Sequence, residues 1–435
     1  MKKHYYFIRL FVFIATIAFM LPACNNNDTP IEDEPQNGNQ GTQNGQQKPE
    51  IEWPKTRIDI ELTEAEKLLA KQHVDFSIRL LQAAEETTAD KSQIILSPLS
   101  ASFALSMVTN GAAGETQQEL LNALGFNGFT AEEMNTYNRK LITALTDLDN
   151  TSPISIANSL WLNKGFTPKD SFKKTLTNSY DAEVQSVDFA NSETVERINE
   201  WCEKKTNGCI PDFLKTLLAE QRFVLLNALY FKGRWQTKFG NSQPSTFTTE
   251  EGKEQEVTFL SMEETKYLYA ENELFSMAEL PYGNGAYGLL VLLPKEEVKA
   301  SDCLVTLNGE QWLKVVSNMK PTLLNLKLPK FKVEAKQSLI DALKVIGIRK
   351  AFTTEADFTA LSEKTTFISG VLQGNYLSID ENGTEAAAVT IIGVDGDTPP
   401  TQSKVIDFYA KRPFFYFLKE KSTNTILFMG KMGRI

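Results

Sequence analysis

Histidine and cysteine are scarce in this chain. Its 435 residues include two histidines, His4 and His73, and four cysteines. A multi-histidine metal site needs several imidazoles, so this composition excludes one, and a catalytic triad has few candidates for its base. His73 falls with Leu69, Phe76 and Leu80 at helical spacing, which predicts a core histidine rather than a catalytic one.

The chain also lacks common sequence signatures of enzymes. It has no G-x-S-x-G elbow, no G-x-x-x-x-G-K-[ST] loop and no H-E-x-x-H pair. The glycines of Tyr282–Gly285 suggest a phosphate-binding loop, but the apolar stretch Gly288–Leu293 that follows predicts a tight turn before a strand. Glu263 and Glu264 have polar neighbours, as expected of a solvated surface. We therefore expect no catalysis, no cofactor and no bound metal.

Basic residues are outnumbered and form no run. There are 45 lysines and arginines against 55 aspartates and glutamates, which gives a formal net charge of -10. Such a chain repels nucleic acid and anionic lipid, so we expect no nucleic-acid partner and no direct electrostatic binding to membranes.

The N-terminal segment has the pattern of a lipoprotein signal peptide. Residues 2, 3 and 9 are basic, and the apolar run Leu10–Met20 is too short to span a bilayer comfortably. The ending Leu21–Cys24, LPAC, resembles a bacterial lipobox, in which the cysteine is lipidated and becomes the new N-terminus. We expect removal of residues 1–23 and lipidation of Cys24. The alternative is ordinary signal cleavage nearby, with Cys24 unmodified.

Residues 24–58 follow this signal and contain little that can be buried. They are rich in asparagine, glutamine, glycine and proline. This composition predicts a disordered tether between a lipid anchor and a folded body. Together with a lipidated Cys24, it predicts a protein anchored in the bacterial cell envelope, at the outer membrane, facing the periplasm or exposed at the surface.

Three cysteines, Cys202, Cys209 and Cys303, belong to the body. Cys202 and Cys209 are seven residues apart, about 10 Å along a continuous helix, which exceeds the ~7 Å limit for a disulfide. If Thr206–Gly208 ends the helix, the chain can fold back and a bridge becomes feasible. We favour three buried thiols without a chemical role.

Residues 59–435 form the body, which has no second low-complexity break. Thr63 and Glu66 make a capping box at the start of a helix. Phe223–Phe231 is almost wholly apolar, as in a strand covered on both faces. Apolar stretches within Phe414–Met429 predict a buried hairpin. Helices and strands interleave without a regular βαβ order, which predicts a mixed α/β domain.

A segment near the C-terminus can be buried as a strand, yet it continues into a polar loop. In Ile379–Val394, a period of two places one uncharged face on Thr384, Ala386, Ala388, Thr390, Ile392 and Val394. Glu381–Thr384 is a turn sequence that can act as a hinge, and the polar stretch Asp395–Lys404 cannot be core. These residues predict an exposed loop attached to a potential strand. An alanine-rich helical turn is the alternative.

The hinge sequence resembles the reactive-loop hinge of the serpins. The matching residues are Glu381, Gly383, Thr384, Glu385, Ala386, Ala387 and Ala388. Further strings similar to those of the family, in the family's order, are Ser97–Ser100, Asn110–Thr116, Asn227–Trp235, Leu328–Phe331 and Arg412–Phe414. The resemblance therefore extends over almost the whole body.

This resemblance implies a serpin fold, a mixed α/β single domain of three β-sheets and about nine helices with an exposed reactive loop at about residues 381–404. It implies a monomeric inhibitor of serine or cysteine endopeptidases and not an enzyme. In this family a protease cuts the loop, forms a covalent acyl-enzyme and is trapped when the hinge inserts into the main sheet. Small residues at Ala386 and Ala388 would let insertion begin quickly. The alternative is a non-inhibitory serpin that acts as a binding or chaperone-like module.

The resemblance also assigns a sheet-opening cluster beneath the main sheet. Its members would be Ser97, Ser100, Asn227 and Gln373, together with Trp235. The string Asn227–Trp235 is similar to the family strand that ends in a buried tryptophan at the entry point of the loop. Gln373 occupies the position where the family often has a histidine. Because an amide both donates and accepts hydrogen bonds, we expect the cluster to persist with glutamine there.

The resemblance places the scissile bond of the loop at Asp397-Thr398. Inhibitory serpins usually have this bond seventeen residues into the loop, and counting from the hinge glutamate reaches Asp397. Prolines at positions 399 and 400 disfavour the next bonds. The loop is longer than in antitrypsin-like members, which leaves two alternatives. Cleavage after Val394 suits elastase-like enzymes, and cleavage after Lys404 suits trypsin-like ones.

Overall fold

Two capped helices begin the folded chain. The computed structural model describes residues 56–384 and 404–435. Helix α1, Glu64–Thr87, starts with the predicted capping box, because the Thr63 hydroxyl accepts from the Glu66 amide and the Glu66 carboxylate accepts from the Thr63 amide. Helix α2, Pro98–Thr109, is capped by the Ser97 hydroxyl and begins with a proline, which has no amide hydrogen to leave unbonded.

The described part of the chain contains nine α-helices. They are α1 Glu64–Thr87, α2 Pro98–Thr109, α3 Gly114–Leu124, α4 Ala131–Leu145, α5 Asp170–Tyr180, α6 Ser192–Lys205, α7 Ala300–Val305, α8 Gly309–Ser317 and α9 Ile340–Val345. A single 3-10 turn, Lys350–Phe352, follows α9. Among these described helices, none has the length and apolar character needed to cross a membrane.

Sixteen strands lie in the same described ranges. They are β1 Gln93–Leu96, β2 Ile154–Asn163, β3 Glu183–Val187, β4 Phe223–Phe231, β5 Gly233–Arg234, β6 Asn241–Thr248, β7 Glu254–Glu271, β8 Phe275–Pro281, β9 Tyr287–Pro294, β10 Lys320–Pro329, β11 Phe331–Ser338, β12 Ile368–Ile379, β13 Gly383–Thr384, β14 Ile406–Tyr409, β15 Phe414–Glu420 and β16 Ile426–Met432.

These strands build three sheets. The main sheet has five strands in the order β11-β12-β4-β2-β3. A nine-stranded sheet runs β1-β16-β15-β9-β8-β7-β10-β14, with β6 paired to β7, and β13 pairs with β5 in the third. The predicted fold class, mixed α/β with three sheets and about nine helices, is confirmed for the described residues.

The apolar strands of the sequence form the centre of the core. Every residue of β4 is buried, as its near-continuous apolar run predicts. The predicted C-terminal hairpin is also confirmed, since β15 and β16 pair antiparallel and all of their residues are buried. The hinge follows directly after β12, a strand of the main sheet.

The glycine-rich stretch before β9 is a turn, as predicted. Gly283, Gly285 and Gly288 do have the G-x-G-x-x-G spacing of dinucleotide-binding loops. They lead into strand β9, however, whereas such loops open a helix whose N-terminus holds the pyrophosphate. The spacing therefore does not indicate a nucleotide site.

The three cysteines of the body are buried, as favoured from the sequence, and none of them forms a disulfide with another described cysteine. The chain does fold back between Cys202 and Cys209, because Asn207 and Gly208 adopt left-handed conformations with φ of 54° and 81°, yet no disulfide forms. Burial raises the pKa of the Cys202 thiol to about 12. The thiol therefore stays protonated and unreactive at neutral pH.

His73 is a core residue of α1, as its position in the apolar stripe predicts. The side chain is 6% exposed and forms a hydrogen bond to the Ile426 backbone, while Nε2 has no partner. Burial lowers the pKa of His73 to about 4, against the smaller opposing effect of that hydrogen bond. The imidazole is neutral at pH 7 and faces β16 rather than a substrate.

We expect His73 to make the folded protein less stable in acid. Because its pKa is about 4 when folded and about 6.5 when unfolded, the unfolded state binds more protons between these values. Stability is therefore lost as the pH falls from about 6.5 to about 4, by roughly 3 kcal/mol. Urea unfolding of the wild type and His73→Phe at pH 7 and pH 4.5 measures this. The variant should lose less stability, and equal losses would contradict the assignment.

Candidate functional site

The main sheet is partly open between its two central parallel strands. β12 pairs with β4 from Ile368 to Gly374, and the last pair joins Gly374 to Ala228. Beyond that pair β12 continues to Ile379 and β4 to Phe231, but the ladder between them stops. The strands therefore separate at the end where the hinge leaves β12.

The hinge reverses the chain at the mouth of this gap. Glu381 and Asn382 form a bend, after which Gly383 and Thr384 pair antiparallel with β5. Gly383 has a φ of 142°, and a Cβ there would lie 2.0 Å from the Gly233 carbonyl oxygen, so only glycine fits. The chain thus already points back along β12, in the direction that a new strand would take.

Thr384 is the first residue of the potential strand, and it is fully buried. Its hydroxyl lies 2.9 Å from the Tyr282 hydroxyl, and its exposed fraction is 0%. The predicted uncharged face begins with this side chain. Of the residues on that face, Thr384 is the one that the structure describes, and its burial agrees with the period-two assignment.

Trp235 is buried and contacts the hinge, at the loop's entry point as the resemblance implied, but it lies apart from the polar cluster with which it was grouped. Its indole nitrogen donates to the Asp380 carbonyl at 2.8 Å, and its amide donates to the Asn382 carbonyl at 2.9 Å. The ring stacks on Tyr282 with centroids 4.3 Å apart. Trp235 follows Asn227 by eight residues, about 26 Å of extended chain, which puts the two at different levels of the sheet.

An ion pair fixes the outer side of the hinge. The Lys330 ammonium lies 2.9 Å from the Glu381 carboxylate, at the junction between β10 and β11. Burial acts to raise the pKa of Glu381, but the hydrogen bond and positive charge of Lys330 outweigh it, so the pKa falls below its usual value. Glu381 is therefore ionised at neutral pH.

The polar cluster beneath the main sheet does assemble. The Gln373 side chain accepts from the Ser97 amide at 2.9 Å and donates to the Ser97 carbonyl at 2.7 Å. The Ser97 hydroxyl in turn accepts from the Ser100 amide at 3.2 Å. The side-chain amide of Gln373 thus both accepts and donates a hydrogen bond, as expected when glutamine replaces histidine in this cluster. It ties β12 to the start of α2.

Polar amides extend this cluster across four strands. Strand register places Gln337, Gln373, Asn227 and Asn158 in one row, on β11, β12, β4 and β2. The Asn227 amide donates to Asn158, and the Gln337 amide donates to the Ile95 carbonyl at 2.7 Å. Gln337 and Asn158 were not predicted, because the row becomes visible only when the strand pairing is known.

A covering segment lies on the opposite face of the main sheet. Ile210 and Phe213, which follow α6, pack so closely on Gly374 that a Cβ there would lie 2.7 Å from the Phe213 ring. The Lys336 ammonium donates to the Pro211 carbonyl at 2.5 Å and to the Asp212 carbonyl at 3.3 Å. Gly374 ends the β4–β12 ladder, so this segment covers the sheet where the gap begins.

Several predicted functional residues lie outside the described ranges. They are Cys24, the hinge residues Glu385, Ala386, Ala387, Ala388 and Thr390, and the bond Asp397-Thr398. Within the described ranges, Glu381, Gly383 and Thr384 form one site with Trp235. A second site lies further from the hinge along β12 and β4. It consists of Ser97, Ser100, Asn227 and Gln373.

Known proteins are similar to this chain in sequence. Residues 71–434 match the serpin family, described as serine protease inhibitors. An uncharacterised serpin-like protein of Thermococcus kodakarensis is 30% identical over 87% of this chain and 88% of its own length. Iripin-3 of Ixodes ricinus is 32% identical over 83% of this chain and 93% of its own.

Solved structures show the same architecture. The native state of tengpin, a thermophilic serpin, has a TM-score of 0.78 and 31% identity, and the match covers 87% of this chain and 96% of tengpin. Human thyroxine-binding globulin in complex with thyroxine has a TM-score of 0.77 and 26% identity, over 85% of this chain and 99% of its own. With a family match over most of its length and the same three-sheet fold, the chain belongs to the serpin family.

Proposed function

We propose that this protein is an inhibitory serpin that traps serine or cysteine endopeptidases as covalent acyl complexes. The observation that carries the proposal is the gap between β4 and β12. It opens at the hinge end of the main sheet, and the chain leaving β12 has already turned back beside it, with Thr384 buried. A strand that continued from Thr384 into the gap would lie antiparallel to both neighbours.

The proposed reaction is a race between two fates of one intermediate. The protease nucleophile attacks the carbonyl carbon of the bait residue, and the peptide bond breaks with the new N-terminal amine as leaving group. The bait residue is then held as an ester or thioester on the protease. If the hinge strand inserts before water attacks that bond, the protease is carried away and trapped. If water attacks first, an active protease and a cut inhibitor are released.

The local residues favour insertion over hydrolysis. The hinge face that would enter the sheet is uncharged and starts with Thr384, Ala386 and Ala388, so little bulk must pass between the strands. A bulky or charged residue on that face would slow entry, because burying an unpaired charge is costly. Iripin-3 and tengpin, the second of them a thermophilic serpin, are similar to most of this chain. Thyroxine-binding globulin, whose solved structure contains thyroxine, is similar as well. A binding role is therefore the competing outcome.

A panel of proteases scored for covalent complexes tests the proposal. Each protease is incubated with the protein and examined for an SDS-stable band at the summed mass, with an active-site variant of the same protease as control. At least one active enzyme should give the band, and its inactive variant should give none. Cleavage of the loop by every protease without a complex would reject inhibition and favour the binding or chaperone-like role.

The bait residue is expected to be Asp397. Gly396 gives the backbone freedom and Thr398 is small, whereas the prolines that follow restrict the next bonds. An acidic bait needs a basic specificity pocket, so acid-preferring proteases are the expected targets. Mass spectrometry of the C-terminal fragment from a denatured complex should give Thr398 as its first residue. A fragment that starts after Val394 or Lys404 would move the bond to those alternatives.

We also propose that the protein is attached to the bacterial cell envelope through a lipid on Cys24. The support is the lipobox-like ending Leu21–Cys24 and the polar stretch of residues 24–58 after it. Cys24→Ser should release the protein from membranes or leave its leader uncut, as seen by fractionation and by mass. Cys303→Ser, which changes a buried thiol, is the control. A processed Cys24→Ser protein that still fractionates with membranes would disprove lipidation there.

A further inference from the structure

The side chain of Asp380 holds the chain reversal with which the hinge begins. Its carboxylate oxygen Oδ1 accepts from the Asn382 amide at 2.7 Å and from the Gly383 amide at 3.1 Å. The Asp380 amide donates to the Gly383 carbonyl at 2.9 Å. One residue therefore closes the turn through its side chain and its backbone together, in the manner of an Asx turn.

The frame around this turn holds its carbonyl side. The Asp380 carbonyl accepts from the Trp235 indole, and the carbonyls of Asn382 and Glu381 accept from the amides of Trp235 and Phe239, at 2.9 and 3.2 Å. Trp235 is 4% exposed and stacked on Tyr282, so its position is fixed by packing. The amides of Asn382 and Gly383 instead donate to the Asp380 carboxylate. Mutation of this one side chain therefore removes both hydrogen bonds and leaves the contacts of Trp235 in place.

Closing this turn in advance matters for the insertion step. A strand that enters between β12 and β4 must run antiparallel to β12, and the chain must therefore reverse within Asp380–Gly383. Fixing the backbone of each turn residue costs conformational entropy. With the reversal already made and Gly383–Thr384 already paired to β5, insertion only has to extend an existing strand, which is faster than nucleating a new one.

We propose that Asp380 is a positioning residue that speeds loop insertion by pre-forming the reversal. The inference rests on the proposed inhibitory function and adds a determinant of its efficiency. Asp380 precedes the expected bait residue Asp397 by seventeen residues, and it acts through the backbone of Asn382 and Gly383. Its removal should therefore change which fate the acyl-enzyme takes, while leaving the rate at which proteases cut the loop unchanged.

Asp380→Ala and Asp380→Asn form the matched pair for the test. Alanine removes the acceptor, whereas asparagine keeps an oxygen at the same position. With a protease that forms a complex with the wild type, the measured quantity is the ratio of trapped to cut inhibitor. Asp380→Ala should lower this ratio about tenfold, the effect of losing two hydrogen bonds in the insertion step. Asp380→Asn should stay within about twofold of the wild type.

A purely structural role would give a different result. In that case Asp380→Ala would lower the melting temperature without changing the ratio of trapped to cut inhibitor. Asp380→Glu replaces the alanine variant in the test if that variant does not fold. The longer side chain keeps the charge but displaces the acceptor, so Asp380→Glu should also lower the ratio of trapped to cut inhibitor. An unchanged ratio in the folded variants would overturn the role of Asp380. If the wild type traps no protease at all, the proposed inhibitory function fails instead.

Discussion

A single cut in the reactive loop beyond the hinge residues, between residues 394 and 404, should raise the melting temperature from an ordinary ~45–65 °C to above ~90 °C. In the intact protein the β4–β12 ladder ends at Gly374 and Ala228, and both strands continue unpaired with each other. The cut frees the hinge to enter between them. The inserted strand would pair on both sides along the sheet, and those new backbone hydrogen bonds and buried side chains stabilise the cut form.

Limited proteolysis followed by calorimetry measures this effect. The cut site is first mapped by mass spectrometry, so that only protein nicked within the loop is compared with intact protein. A second sample nicked between residues 25 and 55 is the control, since that cut lies outside the reactive loop and should leave the melting temperature unchanged. A loop-nicked protein that melts with the intact protein would mean that the hinge does not insert.

Local sequence rules were sufficient for the start of the hinge, which is the part that the structure describes. A turn sequence followed by small residues at period two depends only on neighbours in the chain, and Gly383 and Thr384 have the predicted conformation and burial. The requirement for glycine at 383 is an exception. It comes from the Gly233 carbonyl, which is 150 residues away in sequence and becomes relevant only once β5 and β13 are paired.

The extent of the polar cluster, and the exclusion of Trp235 from it, depended on tertiary structure. Gln337 and Asn158 belong to the row of amides because four strands are in register, and register across strands distant in sequence is not encoded in any one of them. Trp235 was grouped with Asn227 because both belong to one family string. Trp235 follows Asn227 by eight positions. Asn227 lies next to the last pair of the β4–β12 ladder, whereas Trp235 contacts the hinge.

The covering segment would oppose insertion of the hinge into the main sheet in the proposed mechanism. Phe213 packs on Gly374, and the Lys336 ammonium holds the carbonyl of Pro211 at the point where the gap begins. On the other face, Gln373 ties β12 to α2 through Ser97. In the proposed mechanism, a strand that advanced beyond the first few residues would have to separate the contacts on both faces.

Thr390→Arg should abolish trapping and turn the inhibitor into a substrate, whereas Glu385→Arg should have little effect. Thr384 is fully buried beside Tyr282, and Thr390 follows it by six residues, an even number that puts both on the same face of a strand. An arginine there would be buried without a partner in the inserted strand, which costs several kcal/mol. Glu385 is one residue from Thr384, so it would lie on the opposite face of the inserted strand. Its replacement by arginine changes the charge by two units, against one unit for Thr390→Arg.

The measurement is the number of inhibitor molecules consumed per protease molecule trapped. This number should rise more than tenfold for Thr390→Arg, because a few kcal/mol on the insertion step is enough for hydrolysis to win the race. It should remain close to the wild-type value for Glu385→Arg. Thr390→Ser, which keeps a small polar residue on the buried face, should behave as the wild type and controls for the loss of threonine. Equal losses of trapping in the two arginine variants would show that burial does not alternate along the hinge, and the inserted segment would then not be a β-strand continuing from Thr384.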